Sequence, residues 1–337
     1  MAESEDIQFS EDYLQISPNI LETFPRDRAP VDLYILDEGI DNVRPLYRKN
    51  EPISAQRYAR ILDYCRLERL FLFRNDYKEY AGHLSKRLGL VLVESELSDR
   101  EVAEIFFLAL HYRLVDFFDQ PVQGRLDDLR RDLSILSEFV WVDPGRTGFL
   151  CRNLDKHGDL ATHSVNSTFI GLGLYAMHYK KKVGRMNLTH MALGLLLHDL
   201  GMVMVPESVK GKKGLLLHRD KEALQKHPDL AMGMLKRLKV DDQIVEKCVM
   251  EHHERLDGSG YPARLRGEKV SVPGRICALA DSFCAGVEER HFRSGQDALE
   301  VAASLMKLDS KYDVVLARKL YELVRCGFEG CSGERSA

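Results

Sequence analysis

Residues 192–202 read Ala192-Leu-Gly-Leu-Leu-Leu-His198-Asp199-Leu-Gly201-Met202. The apolar run predicts a buried helix, and the pair His198-Asp199 stands at its end. Gly201 reads as a stop and Pro206 as a bar to renewal. A buried carboxylate needs a partner, because an unpaired charge there is costly. A metal ion would serve, as would a hydrogen bond from the neighbouring histidine. Other histidines sit in similar places. His163 is expected on a helix with Ile170, Leu174 and Met177, and Asp159, four residues earlier, would share its face and could reach the same ion. His227-Pro228 opens a helix, His252-His253 ends the apolar stretch from Ile244 to Met250, and Asp281 follows Ile276-Cys-Ala-Leu-Ala280. Neighbours such as His198 and Asp199, or His252 and His253, diverge on a helix. That suits two adjacent ions better than one.

Outward from this stretch the chain reads as helical from about residue 146 nearly to its end. Residues 30–93 carry a ββαβα pattern. Val31 to Leu36, Pro45 to Arg48 and Leu70 to Phe73 are expected strands. Ala55 to Cys65 is an expected helix capped by Ser54, and Tyr77 to Leu88 another. Residues 94–145 read as two helices and a turn, a helical connector. Residues 1–29, polar and acidic with prolines, read as a flexible lead-in. The expected architecture is therefore mainly α: a small α+β regulatory domain, a connector, and an all-helical domain over 146–330.

Composition narrows the function. With 337 residues, the chain is long enough for two domains. Lys and Arg total 48 against 52 Asp and Glu. That balance argues against a protein that coats a nucleic acid polymer or anionic lipid. No run approaches a membrane span of ~20 apolar residues, and the start lacks the pattern of a leader peptide. A cytoplasmic protein is expected. Seven scattered cysteines without a CxxC pair read as reduced thiols.

Leu197-His-Asp-Leu-Gly201, His227-Pro228 and His252-His-Glu-Arg-Leu-Asp-Gly-Ser-Gly-Tyr-Pro262 together resemble the signature of the HD-GYP family, the HD-superfamily phosphodiesterases of cyclic di-GMP. The resemblance covers about residues 150–325. It implies a metal set of His163, His198, Asp199, His227, His252, His253 and Asp281, with Asp199 bridging two divalent ions, iron or manganese. Asp199 and His198 would carry catalysis. Two such ions lower the pKa of a shared water and neutralise a phosphoryl group. The product would be linear pGpG, and GMP if hydrolysis continues. Tyr261, Gly260 and Arg290 would face the nucleotide. The loop Asp257 to Pro262 would meet GGDEF-type signalling proteins, and a homodimer is a possible assembly. Arg275 reads as a structural pairing residue.

Four positions depart from the family pattern. Met202 replaces the Lys of HDxGK, so a cation beside the phosphate is missing. Cys284 replaces an Asp, Asp159 replaces a Glu, and Ala285-Gly-Val287 replaces Ala-Leu-Thr. The last ligand-type positions matter for a third ion, not for the first two. The chief alternative to an enzyme is an HD-GYP protein that binds metal and nucleotide but signals without turnover.

Overall fold

The computed structural model describes residues 12–37, 42–92, 97–180, 184–210, 212, 215, 217–289 and 294–329. The chain divides into two compact units at Ala109/Leu110.

The first unit contains β1 (Tyr13–Gln15), α1 (Pro18–Leu21), β2 (Leu33–Asp37), β3 (Asn42–Tyr47), α2 (Ala55–Arg66), β4 (Leu70–Phe73) and α3 (Tyr77–Leu84). Its four strands form an antiparallel sheet in the order β1-β4-β2-β3. Ser54 caps α2 by accepting from the Arg57 amide, as its position predicts. Leu33, Ile35, Leu70 and Leu72 from the strands, Ile61 and Cys65 from α2, and Tyr80 and Leu84 from α3 are buried. The expected lead-in differs from the structure from residue 12 onward. Tyr13 pairs with Phe73 and Gln15 with Phe71, and Ile16, Ile20, Leu21 and Phe24 are buried. Apolar residues spaced among the polar ones are enough to add a strand to the sheet edge.

A long helix, α4 (Asp99–Asp119), carries the division between the units. The second unit continues with α5 (Gln123–Val142), α6 (Thr147–Arg152), α7 (Leu160–Tyr179), α8 (Arg185–Leu197), the short α9 (Glu207–Lys210), α10 (His218–Gln225), α11 (His227–Arg237), α12 (Gln243–Glu251), α13 (Val272–Val287), α14 (Ala298–Met306) and α15 (Val314–Glu329). Helix α5, expected in a connector, packs on α8 and is part of this unit. Helix α7 is the axis. Residues 161–176 are buried on every side, and α8, α13, α6 and α15 surround it. Close packing explains Gly171: a Cβ there would stand 2.4 Å from Leu195. Among the described residues no helix is long and apolar enough to cross a membrane. Cys65, Cys151, Cys248, Cys277 and Cys284 are buried thiols outside any disulfide. Cys326 is disulfide-bonded and departs from the expected reduced set.

Candidate metal centre

The cluster is assembled from helix ends. Helix α8 stops at Leu197 and its cap is His198. Helix α12 stops at Glu251 and its cap is His252. His227 is the first residue of α11. His163 lies in the first turn of α7, and Asp281 lies within α13. The adjacent side chains come together here although the caps His198 and His252 keep helical backbone angles. The His252 and His253 rings are 4.1 Å apart, and Asp199 Oδ2 is 3.6 Å from its neighbour His198 Nε2.

Two groups of side chains result, sharing Asp199. His163 and His198 make one with it; His227, His252 and His253 make the other. Asp199 Oδ1 is 3.2 Å from His227 Nε2 and 3.6 Å from His252 Nε2. Its Oδ2 is 4.0 Å from His163 Nε2. Asp281 adds Oδ1 at 3.2 Å from His163 Nε2 and Oδ2 at 3.7 Å from His253 Nδ1.

The tautomers fit a metal. Nδ1 of His198, His227 and His252 donates to the carbonyl oxygens of Leu195, Leu224 and Val249 at 2.7, 2.7 and 2.9 Å. A carbonyl only accepts, so each Nδ1 carries a proton, and in the neutral ring Nε2 is left bare for a metal. His198 Nε2 is buried without a hydrogen-bond partner. The Nε2 atoms of His227 and His252 are 2.9 Å apart, close enough for a shared proton or a shared metal ion to join them. Imidazoles and carboxylates in this mixture could hold Zn, Mn, Fe or Ni.

The electrostatics agree. Burial works against the Asp199 carboxylate, yet positive charge placed among His198, His252 and His227 holds it well below the ordinary value, so the site favours a cation there. Burial lowers His198 and His253, keeping them neutral. Burial also opposes charge on His163, but Glu288 and Asp281 outweigh it and raise this group to about 10. A field that draws a proton there would equally draw a metal ion.

The cluster opens on a cavity of about 540 Å³, lined among others by Met202, Arg255, Tyr261, Ser282 and Gln296. That volume suits a small-molecule site. The Tyr261 ring lies 4.7 Å from that of His253. Gly260, expected at the nucleotide, is instead buried against the backbone: a Cβ there would stand 2.4 Å from the His253 carbonyl oxygen and 2.5 Å from Glu254 Cα. Its smallness seats the loop. Gly258 has φ +80°, and Asp257 accepts from the Ser259 amide. Arg290 lies outside the described residues. Arg275 pairs with Asp313, as expected.

Asp159 does not join the cluster. It caps α7, with Oδ1 accepting from the Thr162 amide at 2.7 Å and Oδ2 from the Thr162 hydroxyl at 2.9 Å. The shared-face reading fails because residue 159 precedes the helix. Cys284 is buried, and desolvation with Glu288 nearby raises its thiol well above the ordinary value, so it stays protonated.

Sequence reasoning missed two buried carboxylates. Glu288 accepts from His163 Nδ1 at 2.8 Å. Glu254 accepts from the amides of Ala263 and Leu265 at 2.7 and 2.9 Å, closing the loop onto the cluster. Glu288 is the extended cap just past the end of α13, so helix spacing from Asp281 gives no signal for it.

Comparison with known proteins places this geometry. The HD domain profile matches residues 171–316. A 3'3'-cGAMP-specific phosphodiesterase 1 from Vibrio cholerae is 33% identical over 316 residues, covering 88% of this chain and 66% of that protein. A 3'3'-cGAMP-specific phosphodiesterase 2 from the same organism is 34% identical over 129 residues, covering 38% and 24%. A cyclic di-GMP phosphodiesterase from Thermotoga maritima is 27% identical over 161 residues, covering 47% and 43%. The chain thus spans between 24% and 66% of the length of these relatives. Among solved structures, Bd1817, a HDG"Y"P protein from Bdellovibrio bacteriovorus, shares the fold with a TM-score of 0.61 at 18% identity, over 93% of this chain and 100% of that one.

Residues 171–316 of the second unit match the HD domain, and helices of this unit end in a shared histidine–aspartate cluster. The chain is similar to cyclic dinucleotide phosphodiesterases and shares the fold of a HDG"Y"P protein.

Proposed function

We propose that this protein is a metal-dependent phosphodiesterase that hydrolyses cyclic di-GMP to linear pGpG. The observation that carries the reading is Asp199, shared between two groups of imidazoles at the floor of a cavity, with the Nε2 atoms of His198, His227 and His252 at 3.6, 3.2 and 3.6 Å from its carboxylate. His163, His198, Asp199, His227, His252, His253 and Asp281 would hold two divalent ions, iron or manganese. Bound there, the ions would neutralise a phosphoryl group and make water acidic enough to act at neutral pH. The chain's own residues do the rest. Nδ1-to-carbonyl bonds keep three imidazoles in one tautomer. Tyr261 offers a ring for stacking against a base. Arg255, on the same cavity wall, presents a guanidinium steadied by the His252 and Glu254 carbonyls and by Ser282 Oγ.

The Vibrio cholerae relatives favour 3'3'-cGAMP as a second candidate substrate, since one aligns with 88% of this chain. Met202 favours a third reading, binding with little turnover, because a thioether occupies the cavity wall where the family has a cation. The Gly-rich loop is the proposed contact for GGDEF-type proteins, the proposed assembly a homodimer, and the proposed compartment the cytoplasm.

Anaerobically purified, metal-analysed protein should be incubated with cyclic di-GMP and with 3'3'-cGAMP, and the products separated by chromatography. Linear dinucleotide from either substrate is the expected result. Binding of both without any product would leave the signalling reading in place of the enzyme.

A further inference from the structure

Glu288 is wholly buried, and among the described residues each of its two oxygens serves a side-chain donor. Oε2 accepts from His163 Nδ1 at 2.8 Å, and Oε1 accepts from Asn166 Nδ2 at 2.9 Å. Asn166 is itself fixed: its Oδ1 accepts from the Asp155 amide at 3.2 Å, and its Nδ2 also donates to the Asp155 carbonyl at 2.7 Å. The backbone around Glu288 is held from two sides. Its amide donates to the Cys284 carbonyl, and the amide of Glu289 donates to that of Lys156. The carboxylate therefore has one position, behind the His163 ring and away from Asp199.

This makes the cluster asymmetric. His198, His227 and His252 are each backed by a neutral carbonyl. His163 is backed by a carboxylate. An imidazole that donates to a carboxylate has a fixed ring and a more basic remaining nitrogen, and losing such a partner commonly weakens metal binding about ten- to a hundredfold. We infer that Glu288 is a positioning residue for the His163–His198–Asp199 half of the cluster. Affinity for a divalent ion in that half depends on a carboxylate that does not touch the ion, and affinity in the His227–His252–His253 half does not. The inference rests on the two-ion reading above.

The test is calorimetric titration of the metal-free full-length chain with Mn(II), paired with elemental analysis. Wild type should show two binding events. In Glu288→Gln one event should keep its wild-type affinity while the other weakens about ten- to a hundredfold. Glu288→Asp, which keeps the charge with a shorter reach, should weaken the same event by less. If Glu288→Gln does not fold, Glu288→Asp decides alone. Equal weakening of both events marks Glu288 as general packing and overturns the inference, as does no change in either. Fewer than two events in wild type overturns the two-ion reading instead, before any variant is measured.

Discussion

The carbonyl oxygen of His227 lies where a side chain on residue 201 would begin: a Cβ built on Gly201 stands 1.9 Å from it. Nothing larger than hydrogen fits there. The contact presses the turn after Asp199 against the start of α11, and it brings His227 Nε2 to 3.2 Å from Asp199 Oδ1. The glycine of the His-Asp-Leu-Gly motif serves this approach, not the chain stop read from the sequence.

Gly201→Ala should therefore displace His227. Overpacking of this kind costs about 1–3 kcal/mol, read as a lower midpoint in denaturant. Metal retention by the His227 group should fall with it. An alanine variant that keeps full metal content would show that α11 yields without disturbing the histidine.

Asp199 is the residue that both groups share, so Asp199→Ala should empty both positions, whereas His198→Ala should affect the His163 group most. Elemental analysis of the two variants distinguishes them. Fully loaded wild type is expected to hold about two ions, since Asp159 is occupied as a helix cap and Cys284 is a protonated thiol. A value near three, with rapid conversion of pGpG to GMP, would contradict that.

Met202 lines the cavity beside Asp199. If phosphate stabilisation limits turnover, Met202→Lys should raise hydrolysis at least about tenfold, because each ~1.4 kcal/mol is a factor of ten. Metal content should not change. A rate equal to or below wild type would mean that another group, with Arg255 the first candidate, already supplies the charge.

Glu254→Gln tests how the loop is held. The carboxylate accepts two amides, whereas a glutamine must turn an N–H toward one of them. A buried donor left unpaired costs about 1–3 kcal/mol. Urea unfolding should show that loss, and the Tyr261 ring should leave its seat beside His253. Unchanged stability would mean that the loop is held mainly by Gly260.

The first unit should respond to acid through His83. Burial, with Arg87 and Lys86 nearby, lowers its folded-state value below the ordinary one. The unfolded chain therefore binds more protons below the ordinary histidine value. Stability is complete above that pH and falls as pH drops toward the folded-state value. Amide exchange in the β1–β4 sheet, corrected for intrinsic rates, should show protection falling between about pH 7 and 5, a window that brackets the ordinary histidine value. His83→Gln should flatten the slope. An unchanged slope would assign it to another group.

Much of this was legible in the residues themselves. Helical periodicity, the ββαβα pattern and Ser54 as a cap follow from local spacing. All seven residues named for the metal set lie in one cluster or beside it. Asp159 departs from the shared-face expectation because it is the cap before α7, outside the helix whose spacing that argument uses. The extra strand at residues 13–15 was passed over because three residues carry too little pattern to stand out from a polar segment.

The sequence by itself determined which side chains could bind metal and that they belong to helical segments, since residue type and hydrophobic period are local properties. Only the tertiary structure decided how they divide between two halves around Asp199, that Gly201 and Gly260 are places of close backbone approach, and that Glu288 stands behind His163. Those facts depend on which helix ends meet, and on contacts between residues such as 163 and 288, 125 positions apart, whose proximity no local pattern encodes.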